Sequence, residues 1–455
     1  MKDIIHESHS IVPADPQLDK FQRLGLLLLG IGLATLFSSL FKDYSSSGIT
    51  LWVTLLLIFA GGLTYGLRTH LKRAPGIQNN GIMTSSVSSR GAIGWMVGVT
   101  LTSLYTLYYW WPEYLEGMTR LFDPLSQFIR QTPADQWFMY GTFYTVGVTI
   151  MGVKAIAKYR HSKYQIYRTT TIILAQFFMA YTIPYLMSAF YNLEYYPTYF
   201  WPLQWKALFP DGEVMALVNS PHQVIAMCML AWSLVASFIA TPFLTYYLGK
   251  RWYCSWVCGC GGLANTAGDS WRQLSSKKRS AWKLERYTIY SVLGFIIIVT
   301  AYLWTFHLTQ AEGMKESAGV LAKVYGFLIG SVMAGVVGTG LYPLLGTRIW
   351  CRFACPMAAI LGIIQRFKSR FRITTNGGQC ISCGNCSTYC EMGIDVRWYA
   401  QRGQDIVRAS CVGCGMCSAV CPRGVLQLEN GPTEQRAEYQ MDLLSSMKAR
   451  KLEDK

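Results

Sequence analysis

The chain has 455 residues, of which 51% are hydrophobic and only 15% charged, with 28 tyrosines and 15 tryptophans. That balance excludes an ordinary soluble enzyme, and long apolar runs make the chain a polytopic membrane protein. The formal net charge of +16 would suit nucleic acid, but once it is placed on the topology below no basic surface is left for that partner.

The first segment, 1–22, opens MKDIIHESHS and is polar and mixed in charge. No small-residue cleavage site follows the first apolar run, so that run is expected to stay as an anchor. Eight spans are predicted, at 23–41, 49–67, 91–111, 137–157, 170–190, 223–248, 287–306 and 324–345. The first four make an N-terminal membrane region, 23–157, that contains no cysteine. Its outer loop, PEYLEGMTRLFDPLSQFIRQTPADQW, carries apolar residues at helical spacing and predicts an amphipathic helix on the outer surface. A second outer loop, 192–221, with YYPTYFWPLQW, reads as an interfacial aromatic belt; a docking surface or quinone entrance is the functional alternative. The last four spans belong to a second membrane region, 170–372, which leads into a cysteine-rich domain at 373–430 and a charged tail at 431–455.

With the N-terminus inside, one face holds 35 of the 41 Lys and Arg residues, and the other holds only Lys42, Arg120, Arg130, Lys206, Lys315 and Lys323. This asymmetry orients the chain with its N-terminus and cysteine-rich domain in the cytoplasm, as a multi-pass protein of the cell inner membrane in contact with lipid. Thirteen of the fourteen cysteines then fall in cytoplasmic motifs, where thiols stay reduced. The other, Cys228, lies inside the sixth span and is expected to be a small buried hydrophobe.

The second membrane region contains a repeat. Gly249-Lys-Arg251-Trp-Tyr-Cys254-Ser-Trp-Val-Cys258 follows the sixth span, and Gly346-Thr-Arg348-Ile-Trp-Cys351-Arg-Phe-Ala-Cys355-Pro356 follows the eighth. Both read G-x-R-x-aromatic-C-x-aromatic-x-C, so paired helices bring two Cys-x3-Cys elements to one membrane depth. Cys254, Cys258, Cys351 and Cys355 form a soft S4 set suited to an iron–sulfur cluster, with Cys260 as a substitute ligand. A dithiol–disulfide pair, zinc and Cu(I) are the alternatives. Arg251 and Arg348, three residues before each first cysteine, are expected to offset thiolate charge.

Beyond the repeat come Cys380-x2-Cys383-x2-Cys386-x3-Cys390 and Cys411-x2-Cys414-x2-Cys417-x3-Cys421-Pro422. Thiolates at this spacing wrap [4Fe–4S] cubes, the fourth cysteine of each run reaching the other cube. One cluster should take Cys380, Cys383, Cys386 and Cys421, and the other Cys411, Cys414, Cys417 and Cys390. Gly384 and Gly415 let the backbone approach a sulfide. Structural zinc would want a wider gap between its ligand pairs. Glu391 restores a backbone N–H and adds a carboxylate beside Cys390, so the two clusters are expected to differ in potential. The fold class is an all-α polytopic membrane protein of about eight helices with a C-terminal two-cluster ferredoxin-like α+β domain.

Membrane spans ending in twin Cys-x3-Cys elements, followed by a two-cluster ferredoxin domain, resemble the NapH/NosR-type family of polyferredoxin-like membrane proteins. The resemblance covers about 170–425 and implies a membrane iron–sulfur protein that handles electrons for respiration or metalloenzyme assembly. Three departures stand out. Gly259 replaces the proline of the first motif, Glu391 replaces the proline usual after the fourth cysteine, and four extra spans precede the shared part. No named member of the family matches fully.

The expected function is transmembrane electron transfer between the quinone pool and a redox partner such as a cytochrome or flavoprotein, as a quinol dehydrogenase-like subunit. The alternative is a redox-driven maturation or regulatory protein, cupric-reductase-like in role. No catalytic residue is singled out. The run Asp43-Tyr-Ser-Ser-Ser-Gly-Ile-Thr50 resembles a covalent flavin site only weakly and reads as a turn. Among six histidines, His222 and His307 sit near outer span ends, and haem is not expected.

Overall fold

In a membrane the backbone must satisfy its own hydrogen bonds, so the apolar runs close into helices. The computed structural model describes residues 18–41, 48–72, 75–76, 85–203, 221, 223–309 and 311–431. Within them eight long helices follow one another: α1 Lys20–Ser38, α2 Gly48–Leu71, α3 Ala92–Trp110, α4 Gln136–Lys158, α5 Lys163–Tyr191, α6 Gln223–Leu248, α7 Arg279–Thr309 and α8 Gly313–Gly340. Six of these, all but α3 and α4, are long and apolar enough to cross a membrane. Helices α3 and α4 reach the same length, 19 and 23 residues, but are richer in Thr and Tyr. Eight crossings is therefore part of the proposal below. Helices α7 and α8 begin well before their predicted spans, because the helical backbone continues through polar residues outside the apolar stretch.

Helices α1 and α2 pack backbone to backbone: a Cβ on Gly61 would lie 2.5 Å from the Leu29 nitrogen, and one on Gly25 2.8 Å from that of Tyr65. Small residues are what permit such an approach in lipid. Helices α5 and α6 each contain a wide turn, at Phe178–Thr182 and Ala236–Ala240, just before Pro184 and Pro242. A proline lacks the N–H that a regular turn needs, and the wider turn absorbs the break.

The predicted amphipathic helix is in fact three short pieces, Pro112–Leu115, Glu116–Arg120 and Asp123–Arg130. Its apolar side does not lie on lipid. Leu115, Met118, Leu121 and Phe122 are buried in one cluster with Leu36, Leu51, Phe138 and Tyr185, so the segment plugs the end of the helix bundle. Arg130, only 4% exposed, anchors it through Asp135 (2.9 Å) and Glu194 (3.1 Å). Cys228 also departs from expectation. It is exposed on α6 and packs into no core.

After a short helix, α9 Pro356–Phe367, the cysteine-rich domain opens with β1 Arg372–Thr375 and closes with β2 Leu426–Glu429. They pair antiparallel, Ile373 opposite Leu428 and Thr375 opposite Leu426. Several segments at one end of the bundle reach this domain: His161 from the α4–α5 turn, Tyr164 from the start of α5, Lys277 from the loop before α7, and Gln365 from α9. Residues 1–17, 42–47, 73–74, 77–84, 204–220, 222, 310 and 432–455 lie outside the described residues, and with them most of the flavin-like run, His6, His9 and His222, and about half of the aromatic loop.

Candidate metal centres

The ferredoxin-like domain has two separate small cysteine-lined pockets, each of about 20 Å³. The first is lined by Cys380, Cys383, Cys386 and Cys421. The second is lined by Cys390, Cys411, Cys414 and Cys417, with Glu391 on its wall. These are the two crossed sets expected from the spacing. Gly384 and Gly415 both adopt positive φ (81° and 70°), each starting a one-turn helix that carries the third cysteine of its run. At Gly415 the missing Cβ also makes room for the Tyr164 ring, 2.7 Å from where that atom would stand.

The thiols suit a soft cluster. Burial pushes Cys411 up to about 12, and Cys386 and Cys390 up to about 11. Backbone N–H groups of Gly413, Ser387, Met392 and Ile394 nevertheless point at these sulfurs and favour the thiolate. Sulfurs that are dry, close together and already supplied with N–H donors are what a cluster needs and what free thiols do not.

The two pockets face different surroundings. Cys383 is exposed on the first. The second is pressed against the membrane region, which holds it by its own carbonyls. Gln165 and Arg168, on α5, donate to the Cys414 carbonyl (2.9 and 2.5 Å), Tyr164 to that of Gly413 (2.7 Å) and Ser255 to that of Val412 (2.7 Å). From α9, Gln365 donates to the Cys411 carbonyl (2.7 Å). None of these polar residues was singled out from the sequence, where a polar residue at the inner end of a span looks like any interfacial one.

Below the second pocket the twin motifs meet. Gly249 and Gly346 end their helices at positive φ (68° and 95°), which turns the chain sharply into each Cys-x3-Cys element. Cys254, Cys258, Cys351 and Cys355 are all buried in one cluster, with Cys260 half-buried beside them. The Arg348 guanidinium joins the halves. Its Nη1 donates to the Cys254 carbonyl at 3.2 Å and to Cys351 Sγ at 3.7 Å. The neighbouring Cys260 thiol, the Gly261 N–H and Arg348 together bring Cys258 down to about 7 despite burial. Cys355 caps α9, its Sγ accepting from the Ala358 N–H at 3.4 Å. Gly259 and Pro356 are equivalent, each the first residue of a helix. The glycine is needed because Tyr199 Oη and Gln176 Oε1 stand 2.8 and 3.3 Å from where its Cβ would be. Among the described residues no three His, Cys, Asp or Glu side chains converge as a single metal ion requires. A cube spreads its ligands wider than one zinc or copper ion does.

The two arginines of the repeat are not equivalent, contrary to expectation. Arg251 never reaches a thiol. It bonds Asn430 (2.9 Å) and stacks on Phe371, so it fastens the ferredoxin-like domain. Arg348 runs on to Glu391 at 2.8 Å, and Glu391 also accepts from Arg272 at 2.7 Å; all three are fully buried. Arg272 bonds Asp269 (3.1 Å), and Asp269 bonds Lys158 (2.5 Å) and Tyr159 (2.8 Å) on the other membrane region. Burial alone would raise the Glu391 carboxyl, but Arg348 and Arg272 hold it down at about 2. The carboxylate expected beside a cluster is there, and its charge is answered by two guanidiniums. A readable signal existed at Asp269, the one acidic residue in the basic stretch 249–278. Arg251→Gln is expected to leave the iron content near wild type, whereas Arg348→Gln lowers it; iron analysis of the two purified variants checks this.

On the membrane side of the motifs lies a group of tyrosines from α3 and α4. Tyr144 donates to the Gly259 carbonyl at 2.7 Å and to Gln176 at 3.2 Å, Gln176 donates to the Val257 carbonyl at 2.8 Å, and the Tyr105 and Tyr140 hydroxyls lie 3.1 Å apart. The described histidines do not join the site. His161 bonds the Ala419 carbonyl (3.0 Å) on the surface, His70 is buried on α2, and His307 stacks edge-on against Trp304 on α7.

Known families and relatives match this sequence. A 4Fe-4S binding domain matches twice, at 230–281 and 327–374, once over each half of the repeat. A 4Fe-4S dicluster domain matches 379–426. The chain carries 4Fe-4S ferredoxin-type domains. It is similar to the putative electron transport protein YccM of Escherichia coli, 26% identical over 40% of this chain and 53% of the relative. It is also similar to the methylamine utilization ferredoxin-type proteins MauN of Methylobacillus flagellatus (25% identical, 41% of this chain and 63% of the relative) and Paracoccus denitrificans (24%, 40% and 65%). The chain thus spans between about half and two thirds of the curated relatives it matches. No solved structure matches it.

Proposed function

We propose that the protein is a membrane-bound electron carrier that exchanges electrons between the quinone pool and a redox partner protein, as a subunit of the NapH/NosR type. The observation that carries this reading is the dry Arg348–Glu391 bridge. It joins the wall of the inner ferredoxin pocket to a cysteine of the twin motifs, so that three cysteine sets follow one another from the surface into the bundle. The printed names of the relatives, electron transport and ferredoxin-type, agree with it.

Each crossed set would hold one [4Fe–4S] cluster, and Cys254, Cys258, Cys351 and Cys355 a third, with Cys260 in reserve. Bound clusters supply one-electron transfer. The chain's own residues arrange the rest. The exposed rim at Ile381 and Cys383 offers a docking face for the redox partner. Tyr164, Gln165 and Arg168 fix the inner pocket over the membrane region. Tyr140 and Tyr105 supply hydroxyls of the kind that pair with quinone carbonyls, and Tyr144 ties the group to the twin motif through the Gly259 carbonyl. With the basic loops inside, the ferredoxin-like domain faces the cytoplasm and all eight long helices cross the inner membrane.

Purified protein in lipid nanodiscs is expected to show bleaching of its iron–sulfur absorbance on adding a short-chain quinol, or recovery on adding the quinone. Tyr140→Phe should slow that exchange about tenfold at unchanged iron content, the equivalent of one lost hydrogen bond. Clusters that respond to neither quinol nor quinone would sink the reading.

A further inference from the structure

Beside the twin motifs, on the side away from the tyrosines, a cavity of about 220 Å³ opens between the start of α7, the length of α9 and the ferredoxin-like domain. Its wall carries Lys250, Arg286, Arg352, Arg366 and Arg408, against the single acid Glu285. Arg352 is taken up by Glu285 at 2.7 Å. The remaining four cations have no carboxylate within ion-pair distance among the described residues. Lys250 is the most telling. Its side chain is 1% exposed, and its ammonium donates to one backbone carbonyl, that of Ala409, at 3.2 Å. Arg286 and Arg408 lie over the Trp282 ring, at 5.2 and 4.9 Å from its centroid, which holds both guanidiniums at the mouth. A buried ammonium facing a cavity is costly unless an anion enters. Guanidiniums in a fixed fork are the groups that select phosphate.

From these observations we infer that the cavity is a phosphate-binding site, with Lys250 at its floor and Arg286, Arg366 and Arg408 at its rim. Its surroundings favour a phospholipid headgroup over a soluble phosphate. Leu284 and Tyr287 on α7 and Ile363 and Phe367 on α9, the two helices that wall the cavity, expose large apolar side chains on their other faces, as lipid-facing helices do. Helix α7 has 31 residues, about ten more than a bilayer core needs, so its first turns stand at headgroup level. The cavity also touches Cys351, and the competing account is that the cluster thiolates themselves neutralise Lys250. The inference does not depend on quinone exchange.

The test uses the full-length, iron-loaded protein in detergent and two probes, phosphatidylglycerol and inorganic pyrophosphate, with retained ligand read by native mass spectrometry. The wild type is expected to keep one phosphatidylglycerol through detergent exchange. R366Q/R408Q should keep about tenfold less, with R366K/R408K between them. If the double variant loses iron, R366Q alone makes the comparison, since Arg366 is exposed at the end of α9. Pyrophosphate binding with the same arginine dependence, and no lipid retention, supports the site and assigns it to a soluble phosphate. Retention of neither probe, or equal retention by wild type and R366Q/R408Q at equal iron content, overturns it and leaves the thiolates as the counter-charge of Lys250.

Discussion

Glu391→Gln is expected to destabilise the folded protein by about 3–5 kcal/mol, because removing one partner of a buried ion pair strands the other. Here two guanidiniums are stranded, Arg272 and Arg348, both fully buried. The change also releases Arg348 to pair only with Cys351, beside the twin motifs. The expected readouts are a lower denaturation midpoint, loss of iron and a shifted midpoint potential in whatever iron remains. Arg348→Gln should behave alike, whereas Arg251→Gln should not. A Glu391→Gln protein with wild-type stability and potentials would show that the bridge is incidental. The same network has an acid limit. Burial raises the Asp269 carboxyl, but Lys158 and Arg272 outweigh it and hold the group well below its ordinary value. A depressed carboxylate contributes stability that is whole above its unfolded value and is lost as pH falls below it. Stability measured from pH 7 downward should therefore fall from about pH 4, and Asp269→Asn should flatten that fall.

The Cys254→Ser, Cys351→Ser double variant is expected to carry about eight irons per chain against about twelve in the wild type, since each cube holds four. The structure supports a third set because all four cysteines of the repeat are buried in one cluster, and Arg348 bridges its halves from the Cys254 carbonyl to Cys351 Sγ. Cys260 offers a finer test. It is half-buried beside the four buried thiols and outside their paired spacing, so Cys260→Ser should keep about twelve irons. A fall to about eight would make Cys260 itself a ligand. About eight irons in the wild type, unchanged in the double variant, would leave the repeat to thiol chemistry. The ferredoxin-like pair should stay in place in every one of these proteins, one pocket exposed at Cys383 and the other buried under the membrane region. That difference in surroundings favours two distinguishable potentials.

Periodicity and spacing carried far in this chain. Long apolar runs can satisfy their backbone only as helices, so the mostly helical fold and its six long apolar helices were legible, although α7 and α8 start earlier because a helix does not stop where hydrophobicity does. Ligand spacing within one short loop leaves few geometries, and the cysteines that the spacing groups together line common pockets. Contacts between distant segments were not legible. Nothing local says that Glu391 meets Arg348 rather than solvent, that Arg251 turns away to Asn430, or that the outer amphipathic segment plugs the bundle and not the lipid. Composition marks a residue as charged or apolar; only the packing of elements far apart in sequence decides which partner answers it. The polar groups that hold the inner pocket, Gln165, Arg168 and Gln365, acquire their role solely from the carbonyls brought over them by a domain more than 40 residues away along the chain, at Cys411 and Cys414.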